Sequence, residues 1–351
     1  MKKIRAAILG ATGTVGQRMI QLLDDHPWFE VTAVAASDRS QGKPYGQVVR
    51  WLLETPIPES VRDAEIQECA PGLDCDLVLS TLPGSVAVDV EAEFAKAGFP
   101  VISNASSYRM DPEVPLLIPE INADHVGALK KQKARWGGQG FIVTNPNCSA
   151  IGLVFPLAAI HRAYGLDAVH VVTMQALSGA GYPGVASLDA LDNVIPGIDD
   201  GGEDRKIESE SLKILGSWTG SGFEPADFSV SAMTHRVGVR DGHLEACSVR
   251  LKGSATAGDI ENVCRNFGSE IDALELPSAP RPVIEVESSI DRPQPRLDRN
   301  RAGGMAIVVG PVLPCAVLDF KFRVLSHNTV RGAAGAAILN AELLYRQGMI
   351  G

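Results

Sequence analysis

The sequence predicts an α/β protein with a doubly wound, Rossmann-type nucleotide domain and a second, α+β domain whose sheet is mainly antiparallel or mixed. Apolar strand-like segments alternate with helical ones over residues 1–146, and a glycine-rich turn follows the first strand. Beyond residue 146 the strand-like segments are longer, and few helical segments separate them. A chain of 351 residues is also long for a single domain.

The first domain is predicted from four mostly apolar strands and the helices between them. The strands read "IRAAILG", "FEVTAVAAS", "CDLVLSTL" and "FPVISN", and the clearest helices read "TVGQRMIQLLDDH" and "VAVDVEAEFAKAG". Strands of this kind, separated by helices, are typical of a parallel sheet that is covered on both faces. We therefore predict a nucleotide-binding domain over residues 1–146.

The second domain is predicted over residues 147–326 from the long strand segments "AVHVVTMQAL", "FSVSAMTHRVGV", "HLEACSVRLKG" and "AVLDFKFRVLS". Few crossover helices separate them, which favours antiparallel or mixed pairing. The stretch "IDRPQPRLDRNRAGG" lacks apolar periodicity and is predicted to be a surface loop. We expect the last segment, residues 327–351, to form an Ala-rich helix that returns to the first domain.

Composition excludes several classes of function. The net charge is −10 and the 32 Lys and Arg residues form no block, so neither nucleic acid nor an anionic membrane is expected as a partner. No apolar run reaches the roughly 18 residues that span a bilayer, and the N-terminus is unlike a signal peptide, which predicts a cytoplasmic protein. The six cysteines have no C-x-x-C spacing and no histidine cluster beside them, so we expect neither a metal site nor disulfides.

Gly10, Gly13 and Gly16 follow the first strand and open the first helix. Glycine lets the backbone turn tightly and approach a pyrophosphate, which then sits on the N–H groups of the helix N-terminus. The spacing differs from the common G-x-G-x-x-G, and a turn that only packs the helix on the strand is the alternative. The strand–turn–helix context favours dinucleotide binding.

The segment after the second strand, "AASDRSQGK", bears on which dinucleotide binds. An NAD site usually carries an acidic residue there for the ribose 2′-hydroxyl, whereas an NADP site carries an Arg or a hydroxyl for the 2′-phosphate. Four side chains favour NADP: Ser37, Arg39, Ser40 and Lys43. Asp38 is the contrary residue, and it fits either a ribose contact or a turn cap.

Cys148 precedes the apolar segment "SAIGLVFPLAAIHRAYG", a predicted helix that Asn147 or Ser149 can cap. A thiol at a helix start has a lowered pKa, and the free N–H groups there can hold an oxyanion. Cys148 is therefore predicted to be a nucleophile, whereas the other five cysteines are expected to be core thiols. His243 stands at a glycine-flanked turn from which its ring can reach a cleft as acid or base, and a hairpin would bring Arg236 to the same place.

Taken together, these segments resemble the aspartate-semialdehyde dehydrogenase family, and more closely its archaeal and fungal branch. The resemblance covers nearly the whole chain in family order, through "GATGTVGQR", "AASDRSQGKPYG", "SNASSYRMDPEVPLLIPEIN", "NPNCSAIG", "QALSGAGYPG", "ESLKILG", "HRVGVRDGH" and "SHNTVRGAAGAAILNAE". Several segments in order are more specific than any one of them. Gly238 departs from the family pattern "RVPV", in which a proline stands at this position.

The resemblance implies a role for each matching side chain. Cys148 is the nucleophile, His243 handles protons around a thiohemiacetal, and Gln175 orients the substrate. Arg236 pairs with the substrate α-carboxylate, for which a planar guanidinium is suited, and Glu203 meets its ammonium group. The implied phosphate ligands are Arg109, Asn147 and Lys206. The expected cofactor contacts are Gly10, Thr12, Gly13, Thr14, Val15, Gly16, Ser37, Arg39, Ser40, Lys43, Ser80, Asn104, Ser178, Gly179 and Asn328.

The implied activity is the NADP-dependent interconversion of 4-phospho-L-aspartate with L-aspartate 4-semialdehyde and phosphate, in the pathway to lysine, methionine and threonine, by a homodimer or homotetramer. The alternatives are a malonyl-CoA reductase, an N-acetyl-γ-glutamyl-phosphate reductase and, outside the enzymes, an NADP-binding regulatory protein. Glu203 and Arg236 favour a zwitterionic amino acid over the other two substrates. The spacing of Glu203 and Lys206 puts both on one helix face, although an ordinary surface ion pair has the same spacing.

Overall fold

The computed structural model describes residues 2–351. The elements up to residue 144 are β1 (Ile4–Leu9), α1 (Thr14–Leu23), β2 (Phe29–Ala35), α2 (Tyr45–Val48), α3 (Glu59–Arg62), β3 (Leu77–Ser80), α4 (Gly84–Lys96), β4 (Pro100–Ser103), α5 (Pro119–Asn122), α6 (Leu129–Trp136) and β5 (Phe141–Thr144). A 3₁₀ helix, Ala123–Ala128, joins α5 to α6. None of the helices within the described residues is long and apolar enough to cross a membrane.

The rest of the chain is richer in strands. Its elements are α7 (Ala150–Tyr164), β6 (Leu166–Gln175), α8 (Ser187–Ala190), β7 (Ile195–Pro196), α9 (Gly202–Ile214), β8 (Ser217–Trp218), β9 (Phe223–Glu224), β10 (Ser229–Arg236), β11 (His243–Leu251), α10 (Ala257–Arg265), β12 (Ile284–Val286), α11 (Pro295–Asp298), β13 (Ile307–Val309), β14 (Leu313–Pro314), β15 (Phe320–Ser326) and α12 (Gly335–Arg346). Short 3₁₀ helices cover Leu177–Ala180, Ser269–Leu274 and Arg301–Gly304, and a π-helical turn, Val330–Ala334, leads into α12.

The first sheet is parallel and has the strand order β2-β1-β3-β4-β5. Successive residues of its strands are buried on opposite faces, as Val78 and Leu79 of β3 are. Helices α4 and α6 cover one face, and α1 and α12 cover the other. His26, just after α1, lies with its Nε2 2.9 Å from Glu342 Oε1 on α12. This is the doubly wound arrangement that the sequence predicts.

The second sheet has eight strands, in the order β12-β13-β15-β11-β6-β10-β7, with β14 paired to β15. Two pairs are parallel, β6 with β10 and β12 with β13, and the others are antiparallel, so the predicted mixed sheet is confirmed. Its inner face packs on α7, α9 and α10. Helix α7 is buried along residues 150–160 and therefore holds the residues just before it, including Cys148, in a rigid position.

The predicted surface loop at residues 290–304 is only partly a loop. It contains α11, and Asp298 at the end of that helix is 1% exposed. Arg292 and Arg301 both donate to the Asp298 carboxylate, Arg292 from its Nε at 2.7 Å. A buried carboxylate with two arginines orders a segment that has no apolar periodicity, so a search for such periodicity does not reveal this ordered segment.

Candidate active site

A cleft lies between the carboxyl ends of the first sheet and the second domain, where ligands of α/β sheets usually bind. Many of the predicted site residues line this cleft: Gly13, Thr14, Val15, Asn104, Arg109, Asn147, Cys148, Ser178, Gly179, Glu203, Lys206 and Asn328. The fold therefore brings together side chains that lie more than 300 residues apart in the sequence.

The nucleophile turn, residues 144–149, connects β5 to α7. Asn147 Oδ1 accepts the N–H groups of Ser149 at 2.8 Å and Ala150 at 3.1 Å, so the Asn147 side chain caps the helix. Cys148 is half-buried at the cleft. Gly332 of the π-helical turn approaches so closely that a Cβ there would lie 2.9 Å from the Cβ of Cys148. The turn is thus held from both domains.

Cys148 Sγ lies 3.2 Å from Nε2 of His243, a fully buried residue at the start of β11. The other ring nitrogen, Nδ1, accepts the Ala176 N–H at 3.0 Å. Because Nδ1 accepts, the neutral ring carries its proton on Nε2, directed at the sulfur. Burial, reinforced by the charge of Arg236, lowers the pKa of His243 well below its ordinary value. The predicted acid/base therefore presents a hydrogen-bond donor to the thiol.

The expected lowering of the Cys148 pKa is wrong for this arrangement. Burial raises the pKa of the thiol to about 12, and the Glu203 carboxylate adds to the rise, while Arg109 and Arg236 oppose it. The N–H groups at the start of α7 contribute little because Asn147 already occupies two of them. The thiol is the resting form, and it becomes nucleophilic only when a proton is removed during attack.

Gln175 and Arg236 end the neighbouring strands β6 and β10 in parallel register. Gln175 is fully buried, and its Nε2 donates to Ser149 Oγ and, at 3.2 Å, to Glu203 Oε1. Arg236 donates from Nη1 to the carbonyl oxygen of Ala176 at 2.8 Å. The predicted substrate-orienting groups therefore lie on rigid strand ends beside the nucleophile.

Gly179 lines the cleft and lies close to the side chains of Arg236 and His243. A Cβ at this position would lie 2.8 Å from Arg236 Nη1 and 3.1 Å from His243 Cε1. The backbone of Gly179 can approach both side chains only because glycine has no Cβ. A side chain at this position would displace the Arg236 guanidinium from its present place beside His243.

Helix α9 and the loop after β4 bring charge to the cleft. Glu203 Oε1 accepts from Asn147 Nδ2 at 2.8 Å, and Lys206 Nζ lies 3.5 Å from Glu203 Oε2 and 2.7 Å from Asp199 Oδ2. Burial alone would lower the pKa of Lys206, but Asp199 and Glu203 outweigh it and raise the pKa. Arg109 adds a second cation. Arg109 and Lys206 are the cations that line the cleft with the thiol, and we call this pair the anion site.

The glycine turn fits a pyrophosphate. Gly10 has a φ of 76°, and a Cβ there would lie 2.6 Å from Thr81 Oγ1. Gly13 is exposed at the start of α1 and lines the cleft, where the first N–H groups of the helix lack acceptors within it. Gly16 has a different role, because a Cβ there would lie 2.4 Å from the Gly10 carbonyl oxygen. It permits close packing of the helix on the turn.

The four residues expected at the 2′-phosphate lie outside the cleft, in the loop that follows β2. Ser37, Arg39 and Lys43 are exposed, and Lys43 Nζ donates to the Arg39 carbonyl oxygen at 2.9 Å. Strand β2 neighbours β1, and the Gly10 N–H donates to the Ala35 carbonyl oxygen at 2.9 Å, so this loop borders the glycine turn.

Asn328 links Ser178, which lines the cleft, to the turn that precedes His243. Its Oδ1 accepts the Gly242 N–H at 2.8 Å, and its Nδ2 donates to Ser178 Oγ at 2.8 Å. Nothing near Gly238 demands glycine, since a Cβ there would lie 3.6 Å from the nearest atom, the Ala190 carbonyl oxygen. The residues after Gly238 are anchored by backbone hydrogen bonds to the segment 177–178.

Thr81 and Glu210 are among the residues at or beside the cleft that carry no sequence prediction. Thr81 lines it, whereas the neighbouring Ser80, an expected cofactor contact, is fully buried. Glu210 is 2% exposed and accepts from Arg109 Nη1 at 3.1 Å. Glu203 and Glu210 are seven residues apart, so the helical-face reasoning applied to Glu203 extends to Glu210. Thr81 follows an apolar strand and gives no comparable signal.

Comparison with known proteins shows two domain matches and full-length relatives. The NAD binding domain of semialdehyde dehydrogenase matches residues 5–129, and its dimerisation domain matches residues 157–331. An aspartate-semialdehyde dehydrogenase of Archaeoglobus fulgidus is 50% identical over 344 residues, covering 98% of each chain. The Schizosaccharomyces pombe enzyme of the same name is 46% identical over 355 residues, covering 99% of each chain.

Solved structures agree with these relatives. The aspartate semialdehyde dehydrogenase of Candida albicans with NADP superimposes with a TM-score of 0.90 at 42% identity, covering 99% of this chain and 100% of that one. The aspartate semialdehyde dehydrogenase II of Vibrio cholerae, complexed with ASA, has a TM-score of 0.78 at 25% identity and 99% coverage of both chains.

Proposed function

Because this chain belongs to the aspartate-semialdehyde dehydrogenase family, we propose that it interconverts 4-phospho-L-aspartate and NADPH with L-aspartate 4-semialdehyde, phosphate and NADP⁺. The reaction lies on the route to lysine, methionine and threonine. The observation that carries the proposal is the 3.2 Å contact between Cys148 and His243 in a cleft that also holds the glycine turn and two cations.

The sulfur of Cys148 attacks the acyl carbon of the phosphorylated substrate, and the thiol proton passes to the departing phosphate. The bond from that carbon to the phosphate oxygen breaks, and phosphate leaves toward Arg109 and Lys206, which gives a thioester on the cysteine. Bound NADPH supplies the hydride that reduces the thioester carbon. The Nε2–H of His243 stabilises the negative charge on the resulting thiohemiacetal oxygen. Cleavage of the carbon–sulfur bond then releases the aldehyde and the Cys148 thiolate, which takes up one proton from solvent to restore the thiol.

The substrate amino acid is bound by groups of opposite charge. Arg236 meets the α-carboxylate with its planar guanidinium, and Glu203 meets the α-ammonium. Gln175, which already donates to Glu203, holds the reacting carbon near Cys148. A malonyl-CoA or N-acetylglutamyl substrate has no free α-ammonium for Glu203.

We propose NADP as the cofactor, held by the glycine turn at its pyrophosphate and by the loop after β2 at its 2′-phosphate. Replacing Arg39 by Ala removes a charge-assisted contact, so Kd for NADP is expected to rise about 10- to 100-fold while Kd for NAD changes little. Calorimetric titration of both cofactors measures this, with Arg62→Ala, at an exposed arginine on α3, as the control. Equal affinity of the wild-type protein for NAD and NADP would contradict the proposal.

One assay tests the proposed activity. NADP reduction is followed by the absorbance of the reduced nicotinamide, with aspartate semialdehyde and phosphate as substrates. Turnover that needs all three reactants supports the proposal. Turnover with malonate semialdehyde and coenzyme A in place of aspartate semialdehyde and phosphate would favour the malonyl-CoA reductase alternative, and cofactor binding without any turnover would favour a regulatory protein.

We further propose a homodimer or homotetramer assembled through the second domain, in the cytoplasm. The outer face of the eight-stranded sheet carries Met233 at 53% exposure, and the matching family domain is described as a dimerisation domain. All six cysteines are free, which suits a reducing compartment. Sedimentation of the purified protein gives the oligomeric state.

A further inference from the structure

Glu210 lies in the middle of α9 and connects two parts of the site that come from different segments of the chain. Its Oε1 accepts from Arg109 Nη1 at 3.1 Å, and its Oε2 accepts the backbone N–H of Asn147 at 2.6 Å. Arg109 belongs to the loop after β4, and Asn147 is the residue before the nucleophile. One carboxylate therefore spans the anion site and the nucleophile turn.

The remaining contacts of Arg109 leave Glu210 as its anionic partner in the described structure. The other guanidinium nitrogen, Nη2, donates to the Asn104 carbonyl oxygen at 2.7 Å, and Arg109 is 8% exposed. With Nη1 and Nη2 each held by an oxygen, the planar guanidinium has one orientation, in which it lines the cleft beside Cys148.

A buried carboxylate is costly unless its oxygens are well partnered. Glu210 is 2% exposed, and burial raises its pKa, against which Arg109 and the Asn147 N–H both act. A glutamine in its place has the same shape but only one acceptor oxygen. Its amide nitrogen would face either Arg109 or the Asn147 N–H, donor against donor.

We propose that Glu210 is a positioning residue for the reaction. It holds the Arg109 guanidinium toward the departing phosphate and, through the Asn147 N–H, fixes the position of the nucleophile turn relative to that guanidinium. The residue does not touch the substrate, so it acts through Arg109 and the turn. The inference rests on the proposed function, in which Arg109 is a phosphate ligand.

The test compares Glu210→Gln with Glu208→Gln. Glu208 lies on the same helix and also accepts a backbone N–H, that of Ala232 at 3.0 Å, but this partner lies on β10 and not in the anion site or the nucleophile turn. In Glu210→Gln we expect KM for phosphate to rise about 10- to 100-fold, with KM for aspartate semialdehyde within about threefold of wild type. In Glu208→Gln both constants are expected to stay unchanged.

Direct binding keeps this inference separate from the proposed activity. Inorganic phosphate is titrated calorimetrically into the NADP-loaded protein, and Glu210→Gln is expected to weaken phosphate binding by a similar factor while NADP affinity is retained. Glu210→Asp is a second variant, because its shorter side chain keeps the charge but cannot reach both partners. Unchanged or tighter phosphate binding in the folded variants would overturn the inference, whether or not the wild type shows the proposed turnover.

A double-mutant cycle with Arg109→Lys distinguishes positioning from a general structural role. If Glu210 acts through the guanidinium, Glu210→Gln changes KM for phosphate by less than about threefold in the Arg109→Lys background. If the two substitutions instead raise KM for phosphate by factors that multiply in the double variant, Glu210 only supports the fold.

Discussion

Single residues determine when the nucleophile is active. The Cys148 thiol has a pKa raised to about 12, and the His243 ring beside it is neutral with Nε2–H toward the sulfur. Neither group favours the charged form, so the pair rests uncharged. The Asn147 cap and burial produce this state, which a helix-dipole argument alone does not predict.

Alkylation by iodoacetamide tests this resting state. Because the thiolate fraction of Cys148 is small below its raised pKa, the rate of inactivation is expected to keep rising across about pH 6–10 without reaching a plateau. Cys315 is the control, since the Leu318 N–H lowers its pKa and the residue is half-buried. We expect mass spectrometry to show Cys315 labelled at lower pH without loss of activity. A plateau of inactivation near neutral pH would mean that the thiol pKa is not raised.

Arg236→Lys tests the substrate carboxylate site. Lysine retains the charge but cannot keep the contact with Ala176 and also hold a carboxylate with two parallel hydrogen bonds, so kcat/KM for aspartate semialdehyde is expected to fall about 10- to 100-fold, through both KM and kcat. Arg250→Lys, on the exposed face of β11, is the matched control. Wild-type kinetics in Arg236→Lys would show that Arg236 does not bind the substrate carboxylate.

At the scale of elements, α9 is the structural support of the anion site. Its Lys213 is 5% exposed and donates to the carbonyl oxygens of Arg109 at 2.7 Å, Asp111 at 2.8 Å and Val114 at 2.8 Å. The helix therefore holds the loop backbone through Lys213 and the Arg109 guanidinium through Glu210.

Lys213→Met should destabilise the protein because three carbonyl groups, two of them in buried contacts, lose a charged donor. We expect the free energy of unfolding to fall by about 3 kcal/mol, measured by urea denaturation. Lys133→Met, on the exposed face of α6, should change it little. If both variants unfold at the same urea concentration, the loop does not depend on Lys213.

At the scale of the whole molecule, the C-terminal helix completes the first sheet after the chain has built the second. Glu342 of α12 is fully buried and accepts from His26 Nε2 at 2.9 Å and from the Ser278 N–H at 3.0 Å. The π-helical turn before this helix packs Gly332 against Cys148. The packing of α12 on the first sheet therefore affects the shape of the cleft at Cys148.

Glu342→Ala should loosen that docking. Loss of the buried carboxylate leaves His26 and the Ser278 N–H unpaired, and the free energy of unfolding is expected to fall by about 2–4 kcal/mol in urea. Glu30→Ala, exposed on β2, is the control. Faster exchange of the α12 backbone amides in the variant would show that the lost stability comes from the docking of α12. Unchanged exchange there would show that this docking does not depend on Glu342.

Much of this molecule can be predicted from local patterns because they reflect local physics. Strand and helix periodicity, the glycine turn and the position of Cys148 before an apolar helix predict a doubly wound domain, a mixed sheet, a dinucleotide site and a nucleophile. The ordered motifs predict the family and the cofactor. The domain boundary near residue 146 and the roles of the site residues remain predictions.

Other properties depend on which groups face one another across long sequence separations. Glu210 meets Arg109 only because α9 packs against the loop after β4, and Cys148 meets His243 only because β11 lies beside β6. The direction of the thiol pKa and the proton position on His243 follow from burial and from hydrogen-bond partners. A local pattern determines neither quantity, since both arise where distant segments of the chain exclude water from the same groups.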